Sequence, residues 1–596
     1  MPPHPARRPK FAPGRSTAAA ARQARPRGRG PAGRLPVPLA LVLAALAPLL
    51  AYWPATSHSF LLDDFVLFQT SPSLSDLGSI PKGFLTDVGA LRKGAGTVIS
   101  SYYRPVFLAL STLYHRAAGG NPFAWHAASA ALAALIGALV CAFLLRLGIS
   151  PLAALLAAAV FSLHPSHVSS VAWASGLQEL LAAFFVCCAL HAALWREDAD
   201  RDALPAGLAG LAFTLALLSK EVAIGLLPFV AIWALGTARS DPRRSRRLRK
   251  VALVLAGVTL LYLAVRIVVL GGLAIPAPNA PGLVQSLPAV PVAFVTYLRL
   301  LVWPTGFAFF RPERPSFGPF AAPVLLAVAL SEGLAVLAAW AIRKRRELLL
   351  PVAWLVVWLL PVLNLWALDP QWMVTDRYLF LPSLALPWIV ALLVPRRLAA
   401  VLLALLAGAY ALLTVRYSAI FQDQHTFLAA MERAEPTSPT VFAEKGRLLA
   451  QEGRLAAAQA ALARAVALDP IAPGALLALG DLELQRGDLA AAEIHYRQAL
   501  IVRPYASRPF KLLAIAWGRA GRRQKAFSLS EEAARRWPQD FEAQLLHALF
   551  LGAAGERPEA EAAFAAARRL RPLDPALAGG LDAALARLLP TLLPGR

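Results

Sequence analysis

Cysteine is nearly absent. Cys141, Cys187 and Cys188 are the three in 596 residues, and all fall inside apolar runs. No disulfide framework is therefore available to staple soluble parts, and no cysteine–histidine spacing reads as a zinc site. Acid is also scarce: 35 Asp and Glu stand against 59 Lys and Arg, a formal charge of +24. There is no Walker loop, no GxGxxG turn and no soluble nucleotide-binding unit, which disfavours an enzyme using ATP or a nucleotide sugar. No Ser/His/Asp constellation is indicated either.

Apolar side chains are abundant, at 58% of the chain. A soluble protein of this size would not bury so much. Runs of about 17–25 apolar residues read as bilayer-spanning helices, because only internal helical hydrogen bonds satisfy the backbone in hydrocarbon. Eleven spans are expected, at 37–54, 123–145, 151–169, 173–195, 203–219, 221–237, 250–270, 319–342, 349–367, 378–394 and 398–416. The first reads as a retained signal anchor, since it has a long basic leader and no convincing small-x-small cleavage site. Residues 1–36 carry nine Lys/Arg and no acid in a Pro-, Gly- and Ala-rich setting, a disordered basic cytoplasmic arm.

The positive charge reports topology more than a nucleic-acid partner. Basic residues at Arg146, Arg196–Arg201, Arg239–Lys250, Arg343–Arg346 and Arg396–Arg397 all fall on the cytoplasmic side if the arm is inside. Segment 285–303 cannot cross alone without placing Arg343–Arg346 outside, so it is expected to be re-entrant, interfacial or paired with a short neighbour. The loop 55–122, His164–His167, Lys220-Glu221, the 271–284 loop, Asp376-Arg377 and the C-terminal half then share the outer face.

That C-terminal half is periodic. Pro436, Pro470, Pro504, Pro538 and Pro572 recur every 34 residues, and Gly453, Gly487, Gly521 and Gly555 keep the same step. Alanine recurs at 458, 492, 526 and 560, and again at 465, 499, 533 and 567. This is the tetratricopeptide (TPR) period, with small residues where paired helices meet, glycine at the turn and proline ending each unit. Four repeats fit 437–470, 471–504, 505–538 and 539–572, and 573–596 is expected to form a capping helix. The expected fold is all-α: a polytopic helical membrane domain over 37–418, followed by a TPR α-solenoid. Such a solenoid serves as a groove for peptides or partner helices, or as a rigid spacer or self-association surface.

Candidate chemistry lies in the outer segments. Asp63-Asp64 interrupt an apolar stretch at the membrane surface, where adjacent acids are costly to desolvate unless something holds them. One would act as general base toward an acceptor hydroxyl while the other orients it or binds a cation; a helix-terminal or interfacial pair is the structural alternative. Arg104, behind Tyr102-Tyr103, suits a phosphate head group through its fork of donors, or else snorkels within an aromatic belt. Arg266 lies within a span and needs a partner. His164 and His167 could bind metal, although polar helix-end histidines are commoner. Lys220-Glu221 and Asp376-Arg377-Tyr378 read as internal ion pairs at span ends. No cofactor follows, though a divalent cation at the acidic pair is one option.

The order of these motifs carries a resemblance. Leu62-Asp63-Asp64, Tyr103-Arg104-Pro105, Phe161 through His167, Leu218-Ser219-Lys220-Glu221, Tyr262 through Arg266, Tyr297-Leu298-Arg299 with Trp303-Pro304, and Asp376-Arg377-Tyr378 through Ser383 follow one family's sequence. Over roughly 37–572 the chain resembles the transmembrane and TPR-containing protein O-mannosyltransferases of the GT-C glycosyltransferase class, bacterial relatives included. The resemblance implies a polyprenyl- or dolichyl-phosphate sugar donor, mannose by default. It implies Asp63 and Asp64 as the catalytic acids, and Arg104 with Arg266 and Arg377 on the donor phosphate. His164, His167, Glu179, Lys220, Glu221, Asp376 and Tyr378 are the further active-site candidates. Two departures stand out. Val168-Ser169-Ser170 occupies the place where the family has a threonine and an acid, and Gly176-Leu177-Gln178-Glu179 replaces Gly-Arg-x-Asp.

The expected function is transfer of that sugar to Ser/Thr hydroxyls of proteins on the outer face, with the TPRs positioning the acceptor protein. The Ala-, Arg- and Pro-rich composition points to a bacterium, hence to an inner membrane with periplasmic repeats. The alternatives are transfer to an envelope glycolipid or polysaccharide, and a membrane scaffold without catalysis.

Overall fold

The computed structural model describes residues 35–69, 71–87, 102–195, 203–273, 276, 280, 282–309, 318–368, 374–502, 507–570, 577 and 579–593. The basic arm up to residue 34, the Arg196–Arg201 cluster, Pro504 and Pro572 lie outside them. Among the described residues the chain forms helices and no strand.

Among the described residues seven helices are long and apolar enough to cross a membrane: Val37–Ser57, Pro122–Arg146, Ala174–Ala193, Pro242–Leu270, Ala322–Lys344, Arg346–Leu363 and Arg396–Phe421. An eighth candidate, Pro151–Ser162 with Pro165–Val171, is bent by 49°. The bend falls at His164-Pro165, where proline removes a helical donor. Ala203–Ser219 has 17 residues and Ala289–Val302 has 14. At 1.5 Å per residue they reach about 25 and 21 Å, short of a hydrocarbon core of ~30 Å.

Helix breaks concentrate where the polar residues are. Lys220 leaves the helical path (φ −160°, ψ 133°), and a short 3-10 turn, Glu221–Gly225, restarts the chain into Leu226–Gly236. Asp376–Leu379 and Pro382–Leu384 are likewise single 3-10 turns ahead of Ala385–Leu393. Irregular backbone at membrane depth persists only where protein or a cavity surrounds it. These breaks are buried, and they deliver the charged side chains inward.

Small residues let the membrane helices pack closely, as expected where lipid tails offer little hydrophobic contrast. Ala40 and Ala44 of Val37–Tyr52 are fully buried and pack on Pro122–Arg146. Leu177–Ala193 runs along Ala203–Ser219, and Arg396–Ser418 crosses Pro151–Ser162. Phe143, Phe229, Trp233, Trp354, Trp358 and Trp388 form an aromatic centre with ring separations from 5.0 to 6.3 Å.

Beyond Ser418 the helix Gln424–Ala434 leads into helix pairs: Pro439–Gln451 with Leu455–Leu468, Pro473–Arg486 with Leu489–Val502, Arg508–Arg519 with Arg523–Arg536, and Phe541–Ala554 with Arg557–Leu570. Ala458, Ala492, Ala526 and Ala560, with Ala465, Ala499, Ala533 and Ala567, are all 0% exposed, which is why the sequence keeps them small. The four periodic glycines take φ between 76° and 89°, the left-handed turn that a side chain would strain. The last helix, Gly580–Leu592, covers Arg508–Arg519 and Phe541–Ala554.

Candidate active site

Leu62 is the one non-glycine described residue with positive φ, at 48°. Strained backbone of this kind costs of order 1–3 kcal/mol and persists only where its surroundings fix it. Here the fixing group is Asp64. Its Oδ2 accepts from the Leu61 N–H (3.2 Å), and its own N–H donates to the Leu61 carbonyl (2.9 Å). Its Oδ1 accepts from the Ser175 N–H (2.8 Å) and from the Ser175 hydroxyl. The Trp173 indole N–H donates to the Leu61 carbonyl at 3.3 Å. Asp64 is fully buried. Burial pushes its carboxyl up to about 7, against the hydrogen bonds from Ser175 and Leu61 that favour the charged form.

Asp63 is turned the other way and is exposed. It lines a cleft of 920 Å³ together with Leu62, Phe65, Gln424 and side chains of the repeat helices, among them Glu444, Arg447, Asp481 and Arg508. The adjacent acids therefore do different things: Asp64 anchors the turn, and Asp63 faces the space shared with the solenoid. Both Asp64 oxygens accept from N–H or O–H donors, whereas Asp63 faces the cleft. Among the described residues no group of three or more His, Cys, Asp or Glu could hold a metal ion.

The second feature is a buried ionic network. Arg104 grips Glu221 with two donors, Nε to Oε2 at 3.0 Å and Nη2 to Oε1 at 2.6 Å, and its Nη1 donates to Gln178 Oε1. Lys220 Nζ donates to Glu179, and Arg377 Nε lies 3.8 Å from the same carboxylate. The Tyr378 ring is 5.3 Å from Lys220 Nζ and 5.8 Å from the Arg377 guanidinium. Arg266 donates to Tyr262 Oη (3.2 Å) and to the Leu273 carbonyl (2.8 Å), and its charge acts on Glu221. Four cations thus surround two carboxylates, Glu179 and Glu221. A net positive, largely dehydrated site of this kind attracts a phosphate strongly.

One short segment joins the two features. Trp173 and Ser175 hold the Asp64 turn, Gln178 receives Arg104, and Glu179 receives Lys220. The Arg377 guanidinium also lies 5.6 Å from the Trp173 ring. Gly176 is required within this segment, since a Cβ there would stand 2.6 Å from the Ser170 carbonyl oxygen and 2.7 Å from its Cα.

Of the candidates read from the sequence, Arg104, Glu179, Lys220, Glu221, Arg377 and Tyr378 come together in the ionic network, Arg266 bonds to Tyr262 and Leu273, Asp64 lies in the turn held by Ser175, and Asp63 lines the cleft. His164 and His167 serve as braces. His164 pairs with Ser166 Oγ (2.7 Å) and the Leu301 carbonyl (3.1 Å); His167 pairs with Ser383 Oγ (2.8 Å) and the Phe380 carbonyl (3.1 Å). These bonds tie the bent helix pair to two distant segments. Asp376 is buried beside Ser169 and Phe309, in the position next to Arg377. Ser175, Gln178 and Trp173 were missed as site residues; Gln178 stood out in the sequence only as a departure from Gly-Arg-x-Asp.

Comparison with known proteins adds a partial assignment. Residues 444–509 match the tetratricopeptide repeat family. No curated protein matches the chain. The crystal structure of the APC/C hetero-tetramer Cut9-Hcn1 shows 14% identity over 81% of this chain and 93% of its own, at a TM-score of 0.25, a level that carries no argument. TPR repeats generally mediate protein–protein contact, and the helices described here are compatible with a membrane protein.

Proposed function

We propose that this protein is a membrane glycosyltransferase of the GT-C class that moves a sugar from a polyprenyl-phosphate donor to Ser/Thr hydroxyls of proteins. Mannose is the default sugar. Asp63 takes the hydroxyl proton as the oxygen attacks the anomeric carbon. The bond from that carbon to the phosphate oxygen breaks, configuration inverts, and polyprenyl phosphate leaves. Arg104, with Arg266 and Arg377, stabilises the charge that develops on the departing phosphate. Asp64 positions Asp63 and does not itself touch the acceptor.

The observation that carries this reading is the segment 173–179. It fastens the acidic turn and the cation-rich network to one another while Asp63 opens toward the repeats. Lys220 and Glu179 set the network's internal balance, and its surplus of positive charge matches a phosphate donor. The repeats on the other side of the cleft match a protein acceptor.

The test is sugar incorporation into protein in membranes supplied with polyprenyl-phosphate sugars, comparing wild type with Asp63→Asn at matched abundance. Removing a positioned general base typically costs about 10²–10⁴-fold. Such a loss supports the reading, whereas equal incorporation by both chains removes Asp63 from catalysis.

A further inference from the structure

The cleft in front of Asp63 has an unusual polar lining. The ionic side chains that the repeats contribute to it are paired with one another: Arg447 with Glu444 at 2.7 Å, and Arg508 with Asp481 at 3.2 Å, while Asp481 also accepts from Tyr496 Oη. A charged ligand is therefore not what the lining calls for. Three glutamines remain, Gln424, Gln451 and Gln485. The Gln424 amide nitrogen is buried without a hydrogen-bond partner, and Gln451 and Gln485 are exposed into the cleft.

Their positions are ordered. Gln451 ends Pro439–Gln451, and Gln485 is the penultimate residue of Pro473–Arg486, one 34-residue step later. Gln424 opens the helix that precedes the first repeat. Its neighbour Gln422 accepts through its carbonyl from the Ser59 N–H at 3.0 Å, so this end of the row is tied to the chain carrying Asp63. The next equivalent position, Arg519, donates to the Thr591 carbonyl of the last helix at 3.0 Å, and the row ends there.

A primary amide offers one acceptor oxygen and two N–H donors, the complement of a peptide group. Helical or folded acceptors have already used their backbone groups; an extended segment has not. Apolar neighbours Leu62, Phe65, Leu482 and Leu512 give side chains somewhere to lie without selecting their charge. An oligosaccharide would want aromatic platforms, and Phe65 is the single aromatic residue of the lining.

We infer that the cleft is a binding site for an extended, unstructured polypeptide segment, held through its backbone by Gln424, Gln451 and Gln485 so that a Ser/Thr hydroxyl meets Asp63. This rests on the function proposed above for the role of Asp63 and adds the acceptor class: unfolded chain, with tolerance of its sequence.

The experiment reads binding without any donor sugar. A fluorescein-labelled, unstructured Ser/Thr-containing decapeptide is titrated with the full-length protein in nanodiscs and followed by anisotropy. The double variant Gln451→Ala/Gln485→Ala is expected to weaken binding about tenfold, as loss of two net hydrogen bonds would. Gln459→Ala, outside the cleft, is expected to leave it unchanged. A scrambled peptide should bind as well as the original, and one N-methylated at alternate backbone amides should bind at least as poorly as the double variant allows. Undiminished affinity in the double variant, full binding of the N-methylated peptide, or displacement by a neutral oligosaccharide would overturn the proposal. Because no transfer is involved, peptide binding can fail while sugar transfer stands, and the reverse.

Discussion

Asp64 is the residue expected to set the pH dependence of transfer. Burial raises its carboxyl from 3.8 to about 7 while hydrogen bonds from Ser175 and Leu61 work in the opposite direction. Its carboxylate form is the one that can accept all of those bonds, so transfer is expected to rise with pH through about 7 as the turn under Asp63 becomes fully held. Stability runs the other way. Between about 4 and 7 the folded chain keeps a proton that the unfolded chain has released, so the contribution of Asp64 is fully present below 3.8 and is lost as pH climbs through 7. Ser175→Ala removes an O–H that favours the charged form. The activity midpoint of that variant should shift upward, with the donor KM unaltered. A profile identical to wild type would detach Asp64 from activity.

Arg104 is the other residue whose geometry can be isolated. Lysine keeps the charge and loses the fork that meets both Glu221 oxygens and Gln178. Arg104→Lys is expected to lower kcat by about 10²–10³-fold, the scale of losing one donor to a developing oxyanion, while acceptor peptide binding stays intact. Glu221→Gln leaves Arg104 buried with half its partner and should destabilise the chain by about 3 kcal/mol, seen as a fall in Tm in detergent.

At the scale of elements, the 173–179 segment is where the fold is least tolerant. It leaves the Val168–Val171 turn, passes through a 3-10 turn at Ala174–Gly176 and starts the helix Leu177–Ala193. Gly176→Ala would drive a methyl group into the backbone of Ser169 and Ser170, which cannot yield as a side-chain tip would. That variant should lose transfer and also Asp64 anchoring, detectable as protease cleavage near Leu62 that wild type resists. The sequence announced much of this site and little of its wiring. Asp63-Asp64, Lys220-Glu221 and Asp376-Arg377 were visible because charge in an apolar run is expensive and needs a reason. Ser175 and Gln178 were not visible, because a neutral polar residue at a helix start is unremarkable until its partner, 111 or 74 residues away, is known. The repeats were legible for the opposite reason. Each alanine and glycine answers to a neighbour one helix away, and the same packing constraint recurs at every 34th residue. Span lengths were unevenly legible: hydropathy marked 203–219 with the bounds the helix Ala203–Ser219 has, but in 378–394 it did not show that the α-helix begins only at Ala385, after two 3-10 turns.

The whole molecule is divided by its cores rather than by its hydropathy. Phe421, Phe427, Leu428, Met431 and Val441 belong to the same buried cluster as the membrane helices, so the first repeat is sewn into the body. Ala492 through Leu593 form a separate core. Phe427 is fully buried and meets Phe309 edge-on at 5.2 Å and Phe421 at 5.4 Å. Phe309, in turn, lies 5.1 Å from Trp173, whose indole holds Leu61 in the acidic turn. The orientation of the solenoid and the aim of Asp63 therefore share one aromatic chain. Phe427→Ala removes its middle and should cost about 3–5 kcal/mol locally. Hydrogen exchange is the measurement. The variant is expected to lose protection along Gln424–Ala434 and around Leu61, with acceptor KM raised, while Phe541–Ala554 exchanges as in wild type because its core is independent. Loss of protection spread evenly through the distal repeats would mean that the two cores unfold as one, and that the solenoid is held by something other than this aromatic contact.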